Sequence, residues 1–294
     1  IIFEVKSILD NKMHNQEQIQ NILIKYGAPE GLAWLKDRIS KMAESKSSKD
    51  LFMTYSLLNV KFDSLKPISF DNVVDDCSIY FKAQKANLLQ VARIFLLSEI
   101  LGQNEEFYAP KVANIIQVAD TGELETFLKY LVLLPNPEAY KQTAVEALRT
   151  NIAIIFDSIS LNNPYPARYF NNQQWNQMYL KAAFMGRDLS LIESVDERAN
   201  ADLTRIISDY AHERWAASRK IDPIFWRPVS KFLNEELLKD MNRLLNSEDS
   251  IENKAGALCC FHSGNEKANA LLNSLPELRQ KIADGQINWN TLKQ

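Results

Sequence analysis

Glycine is scarce in this chain: 8 residues in 294. A protein of this length ordinarily carries about 20. Tight hairpins, phosphate-cradling loops and close-packed α/β crossovers all use glycine, because they need positive φ or the absence of a side chain. Windows of alternating Val, Ile, Thr and Tyr that would mark strands are also absent, whereas Leu, Ala, Lys, Asn and Gln are abundant. The expectation is an all-α fold.

Apolar residues recur at helical spacing along most of the chain. Ile19, Ile22, Leu23 and Tyr26 form one stripe, closed by Gly27 where a C-cap glycine belongs. Pro29 suits the first turn of a second helix bearing Leu32, Leu35, Ile39 and Met42, and Leu51–Val60 makes a third. Residues 61–83, with Pro67, read as a connection holding at most one short helix. Helical patterns resume over Ala86–Gly102, Asn104–Val118, Glu123–Leu134 and Pro137–Phe156. Pro164 and Pro166 make Leu161–Tyr169 the best boundary between halves 1–160 and 161–294, unless the two form one continuous domain. Six more helices are expected, near 173–185, 196–218, 234–246, 252–260, 266–272 and 277–283. Short helices that cannot bury their own apolar faces suggest a multi-helix array of α-solenoid, HEAT/TPR-like character.

A net charge of −3 and a pI near 5.8 argue against nucleic acid as a partner, which would call for a basic stripe. No apolar run approaches the ~18 residues of a membrane span, although peripheral membrane contact stays open. Cys77, Cys259 and Cys260 are odd in number and irregularly spaced, as in a reducing compartment. The first residues, IIFEVKSILDNK, carry no initiating Met, basic n-region or cleavage site, and a leader removed earlier stays open. Cytoplasm is the expected location.

Charged and aromatic residues concentrate in Asp196–Arg227, DERANADLTRIISDYAHERWAASRKIDPIFWR. On a helix at about 100° per residue, Leu203, Ile206, Ile207, Tyr210 and Ala217 share a core face. Arg198, Asp202, Arg205, Asp209 and Glu213 run down the other as a ladder of alternating sign, with His212 beside it. Arg214 falls in the apolar sector, where a guanidinium needs a carboxylate, carbonyls or an anionic ligand. Asp196, Glu235 and Glu236 are candidate partners. Pro223 starts a new helix or turn that returns Trp226 and Arg227 toward the preceding helix. One helix upstream, Trp175, Met178, Ala182 and Met185 form an aromatic-rich face with Lys181 at its edge.

Metal and catalytic motifs do not emerge. His212–Glu213 begins like HExxH, but position 216 is Ala, and Cys259-Cys260-x-His262 has no spaced second pair. No Walker loop, GxGxxG, GxSxG or acid–base carboxylate pair is present. The expectation is a protein without catalytic residues, metal or cofactor.

The stretches WNQMYLKAAFMG (175–186), DERAN (196–200), DYAHERWAASR (209–219) and FWRPVSKF (225–232) resemble the EboA family of bacterial metabolite-traffic proteins in the order and spacing of rare residues. The resemblance covers about 60 residues; the first 160 share with that family length and helical character. It implies a cytoplasmic, non-catalytic helical protein, from a gene cluster that helps move a biosynthetic intermediate toward the periplasm. Such clusters also encode a membrane prenyltransferase-like protein and enzyme-like partners.

Two expectations follow for the site. In the first, His212, Arg214, Trp215, Trp226 and Arg227, with Trp175 and Lys181, line a groove for an aromatic or prenylated metabolite, an arginine holding its anionic group. In the second, Arg198, Asp202, Arg205, Asp209 and Glu213 form an interaction face for products of neighbouring genes. An enzyme would need Asp209, His212 and Glu213 to converge with further polar groups around a cavity.

Overall fold

The structure, a computed structural model, describes residues 12–65, 68–70 and 73–292. Among them there is no strand, and the fold is all-α. No helix among the described residues is long and apolar enough to cross a membrane. Pro67 and the N-terminal residues 1–11 lie outside the described residues.

The chain divides into two compact units, Ile1–Tyr169 and Phe170–Gln294. The first holds α1 (Lys12–Tyr26), α2 (Pro29–Ser45), α3 (Ser48–Lys61), α4 (Asp76–Ala83), α5 (Leu88–Gln103) and α6 (Glu105–Ala113). It continues with α7 (Ile115–Val118), α8 (Thr121–Tyr130), α9 (Lys141–Ala147), α10 (Ala153–Ser160) and α11 (Tyr165–Tyr169). α5 is its axis: α1, α2, α3, α6 and α8 all pack against it. The sequence of α5, LLQVARIFLLSEILGQ, explains this, because apolar residues cover every side of the helix and nearly all are buried. Asn87 and Gln90 close its N-terminus with a reciprocal capping box.

The second unit holds α12 (Asn172–Phe184), α13 (Val195–Arg198) and α14 (Ala201–Ala216), then a 3-10 helix over Pro223–Phe232. It ends with α15 (Glu235–Leu245), α16 (Ser250–His262), α17 (Glu266–Asn273) and α18 (Pro276–Ala283). α15, α16, α17 and α18 stack in succession, and α16 also carries the 3-10 segment.

Several helices expected as continuous are divided. The run from Asn104 breaks at Asn114 into α6 and α7, and the run from Pro137 contains a 3-10 turn, α9 and α10. The run from Asp196 breaks at Ala199–Asn200. There Asn200 is extended (φ −151°) and its side chain accepts from the Leu203 N–H, capping α14. Its amide also pairs reciprocally with that of Asn176 on α12, at 3.1 and 2.9 Å.

Gly186, Gly264 and Gly285 take left-handed backbone, and with so little glycine other residues do so as well. Lys46, Lys85, Asn136, Asn162, Ser194 and Ser218 all have positive φ, between 48° and 56°. Lys46 terminates α2 in this way, its N–H donating to the Met42 carbonyl.

Candidate functional site

The charged stretch of the second unit is largely satisfied from within. Thr204, Ser208 and Ala211 are buried together with Leu203 and Ile207, so the core face of α14 is rotated away from the side that hydropathy alone selects. This corrects the placement of Arg214. It sits half-buried in the last turn, where its Nε and one terminal nitrogen donate to the Lys220 carbonyl at 3.0 and 2.6 Å. The guanidinium closes the helix end rather than entering the interior.

The neighbouring groups follow the same pattern. His212 Nε2 lies 2.7 Å from Asp240 Oδ1, and Ser208 donates to the other oxygen of that buried carboxylate at 3.0 Å. Asp240 joins the two, so the trio lacks the serine–histidine contact of a nucleophilic site. Trp215 stacks on Trp226, centroids 5.5 Å apart, and the Arg243 guanidinium lies 4.0 Å from its ring centre. Trp226 and Trp175 are fully buried core residues. Arg198, expected on the interaction face, belongs to α13, out of register with the ladder. It donates to the Phe170 carbonyl at 2.9 Å and lies over the Trp175 ring at 4.9 Å. Of the ladder, Asp202 and Glu213 are exposed and Arg205 pairs with Asp209 at 3.0 Å. Lys181, in the last turn of α12, is half-buried, and desolvation draws its ammonium below the ordinary lysine range.

Arg227, one of the predicted ligand residues, reaches an open recess. It makes a two-point pair with Asp196, at 2.9 and 2.6 Å. Burial lowers its pKa, but the hydrogen bond and charge of Asp196 outweigh that and raise it above the ordinary arginine value. The pair borders a recess of about 280 Å³ with Lys231, His262 and Trp289. Cys259 and Cys260 are buried free thiols, and no group of three or more potential metal ligands occurs among the described residues.

A larger cleft, about 410 Å³, lies in the first unit, among residues that the sequence reading did not single out. α3 and α8 each pack on α5, and the cleft opens beside them, lined from α3, α7 and α8. Its walls are mostly apolar, with Met53, Leu57 and Val118 exposed at the rim and Ile115 buried behind them. Tyr55 and Glu123 form its polar floor, where the Tyr55 hydroxyl donates to the Glu123 carbonyl at 2.9 Å.

Local sequence explains why a carboxylate is there. Glu123 is the third residue of α8, and its Oε2 accepts from the Asp120 N–H at 3.0 Å in a capping box. The same carboxylate faces α5, where Arg93 is 5% exposed, as is Glu123 itself. Arg93 comes within 3.6 Å of Glu123 Oε1, and its guanidinium carbon lies 5.3 Å from the Tyr55 ring centre. The Arg93 Nε is buried without a hydrogen-bond partner among the described residues. Burial, first, and the nearby carboxylates push the Tyr55 hydroxyl well above the ordinary tyrosine pKa, while Arg93 opposes them. It is a neutral donor at any physiological pH. Arg93 was visible in the sequence as a cation between Val91-Ala92 and Ile94-Phe95.

Comparison with curated proteins and with solved structures gave no match. The family model described as metabolite traffic protein EboA matches residues 15–230. The match takes in the whole cleft of the first unit and the Asp196–Arg227 pair; Lys231, His262, Trp289 and Asp240 fall beyond it. A match over most of the length settles the family: the chain belongs to the EboA family of metabolite traffic proteins.

Proposed function

We propose that this protein binds a small secondary-metabolite precursor without transforming it and assists its passage from the cytoplasm toward the periplasm. The observation that carries this reading is the cleft of about 410 Å³ in the first unit, apolar in its walls and polar at its floor. Pockets for small molecules typically measure about 300–1,000 Å³ and combine those two features. Glu123 is engaged by the Asp120 N–H and by Arg93, which suits a group that orients a ligand better than one that shuttles protons. The family, named for metabolite traffic, supports the same reading.

Titration with N-phenyl-1-naphthylamine, an apolar dye that brightens in dry sites, tests it. Dye emission rises on binding the parent protein. Leu57→Trp and Val118→Trp fill the cleft from its exposed rim, abolish the rise and leave the unfolding midpoint within a few degrees. An undiminished titration in both variants sinks the proposal.

A second reading rests on the exposed Arg205–Asp209 pair, which borders a recess of about 150 Å³ with Asn234 and Glu236. That face would dock products of neighbouring genes. Absence of dye binding, with those products still co-purifying, would favour it.

A further inference from the structure

We infer that the cleft of the first unit selects a neutral ligand: a hydrocarbon or aromatic body whose polar end is a hydroxyl. This rests on the small-molecule reading above and specifies the chemistry of that site.

The argument starts from an incomplete ion pair. Arg93 and Glu123 are both nine-tenths or more buried, where charges need close partners and full hydrogen bonding. They meet at 3.6 Å, beyond hydrogen-bond length, and the Arg93 Nε has no acceptor among the described residues. Glu123 Oε2 is taken by the Asp120 N–H, which leaves Oε1 as the oxygen free to accept more strongly. Glu123 is among the residues that line the cleft, and in this proposal a donor brought in by a ligand approaches its carboxylate from that side.

Charge balance then decides which donor. Arg93 and Glu123 neutralise each other, and the walls around them are mostly apolar. A carboxylate or phosphate entering the cleft would shed its water and meet the like charge of Glu123. An ammonium would shed its water too, and would compete with Arg93 for one oxygen. A hydroxyl has a small desolvation cost, donates to Glu123 Oε1 and keeps its lone pairs free. A purely apolar body would fill the walls and leave Oε1 as poorly served as before. The Tyr55 hydroxyl does not compete, because it is already committed to the Glu123 carbonyl.

Four probes sharing one ring body separate these cases: 2-naphthol, 2-methylnaphthalene, 2-naphthoate and 2-naphthylmethylamine, titrated at pH 7 against the full chain. We expect 2-naphthol to bind at least tenfold tighter than each of the others. In Arg93→Met/Glu123→Met, where two thioethers replace the pair, that preference collapses to within about twofold of 2-methylnaphthalene. Glu123→Gln, if it folds, retains binding with a smaller preference. Equal affinity for 2-methylnaphthalene, or tighter binding of either ion, while Val118→Trp still blocks all probes, would overturn the hydroxyl assignment and leave the small-molecule site standing. Failure of every probe to bind, or binding indifferent to Val118→Trp, would instead remove the site itself.

Discussion

Arg93 and Glu123 show how one buried pair can serve structure and recognition at once. Removing either partner strands the other charge in the interior, a loss of about 3–5 kcal/mol, whereas exchanging both for apolar residues of similar size is often neutral or better. Glu123→Ala is therefore expected to lower stability by about 3–5 kcal/mol in urea unfolding, while Arg93→Met/Glu123→Met stays within about 2 kcal/mol of the parent. Equal losses in the two variants would mean that the pair has no special electrostatic role. Arg214 finds the carbonyl partner that its charge requires, but at the end of its helix instead of in the interior. Hydropathy leaves the small polar Thr204 and Ser208 out of the core face, although both are buried, and so sets α14 at the wrong angle. Arg93 needed no such angle, since its helix is apolar on every side and any orientation buries it. Glu123 was less legible: nothing in TGELETFLKY says that a capping-box carboxylate will face another helix.

At the level of elements, helical periodicity located most of the helices but not their interruptions. The breaks at Asn114 and Asn200 depend on what asparagine does at a helix boundary, and Asn200 is held by an amide 24 positions away. The same limit explains why the Asp196 run read as one helix and placed Arg198 on the wrong face. Close packing offers a sharper test. Gly256 in α16 lies against α15, and a methyl group there would come within 2.8 Å of Leu244 Cβ and 3.3 Å of the Leu245 amide nitrogen. Alanine gains about 1 kcal/mol over glycine inside a free helix, but overpacking a tight core costs about 1–3 kcal/mol. Gly256→Ala is thus expected to lower the thermal midpoint, against helix propensity. A raised midpoint would show that α15 and α16 part easily.

For the molecule as a whole, the three cysteines report on each unit separately. Burial lifts the Cys77 thiol well above its ordinary pKa, with Asp75 and Asp76 adding to the effect, and lifts Cys260 to about 12. Cys259 is raised as well and donates to the Trp226 carbonyl at 3.3 Å. A buried thiol held protonated is a poor nucleophile. With a disulfide reagent at pH 8, the native protein should expose none of the three over minutes, and denaturant should release Cys77 as the first unit opens and Cys259 with Cys260 as the second does. Rapid native labelling at any of them would contradict the packing described. The all-α character could be read from glycine scarcity, and that scarcity reaches beyond fold class. Lysine and serine side chains occupy left-handed corners where their own Cβ is crowded, at Lys46, Lys85, Ser194 and Ser218. The architecture thus retains unused thermal headroom: its corners could be relaxed without touching core or cleft, so the heat tolerance of this chain sits below the ceiling its own backbone permits.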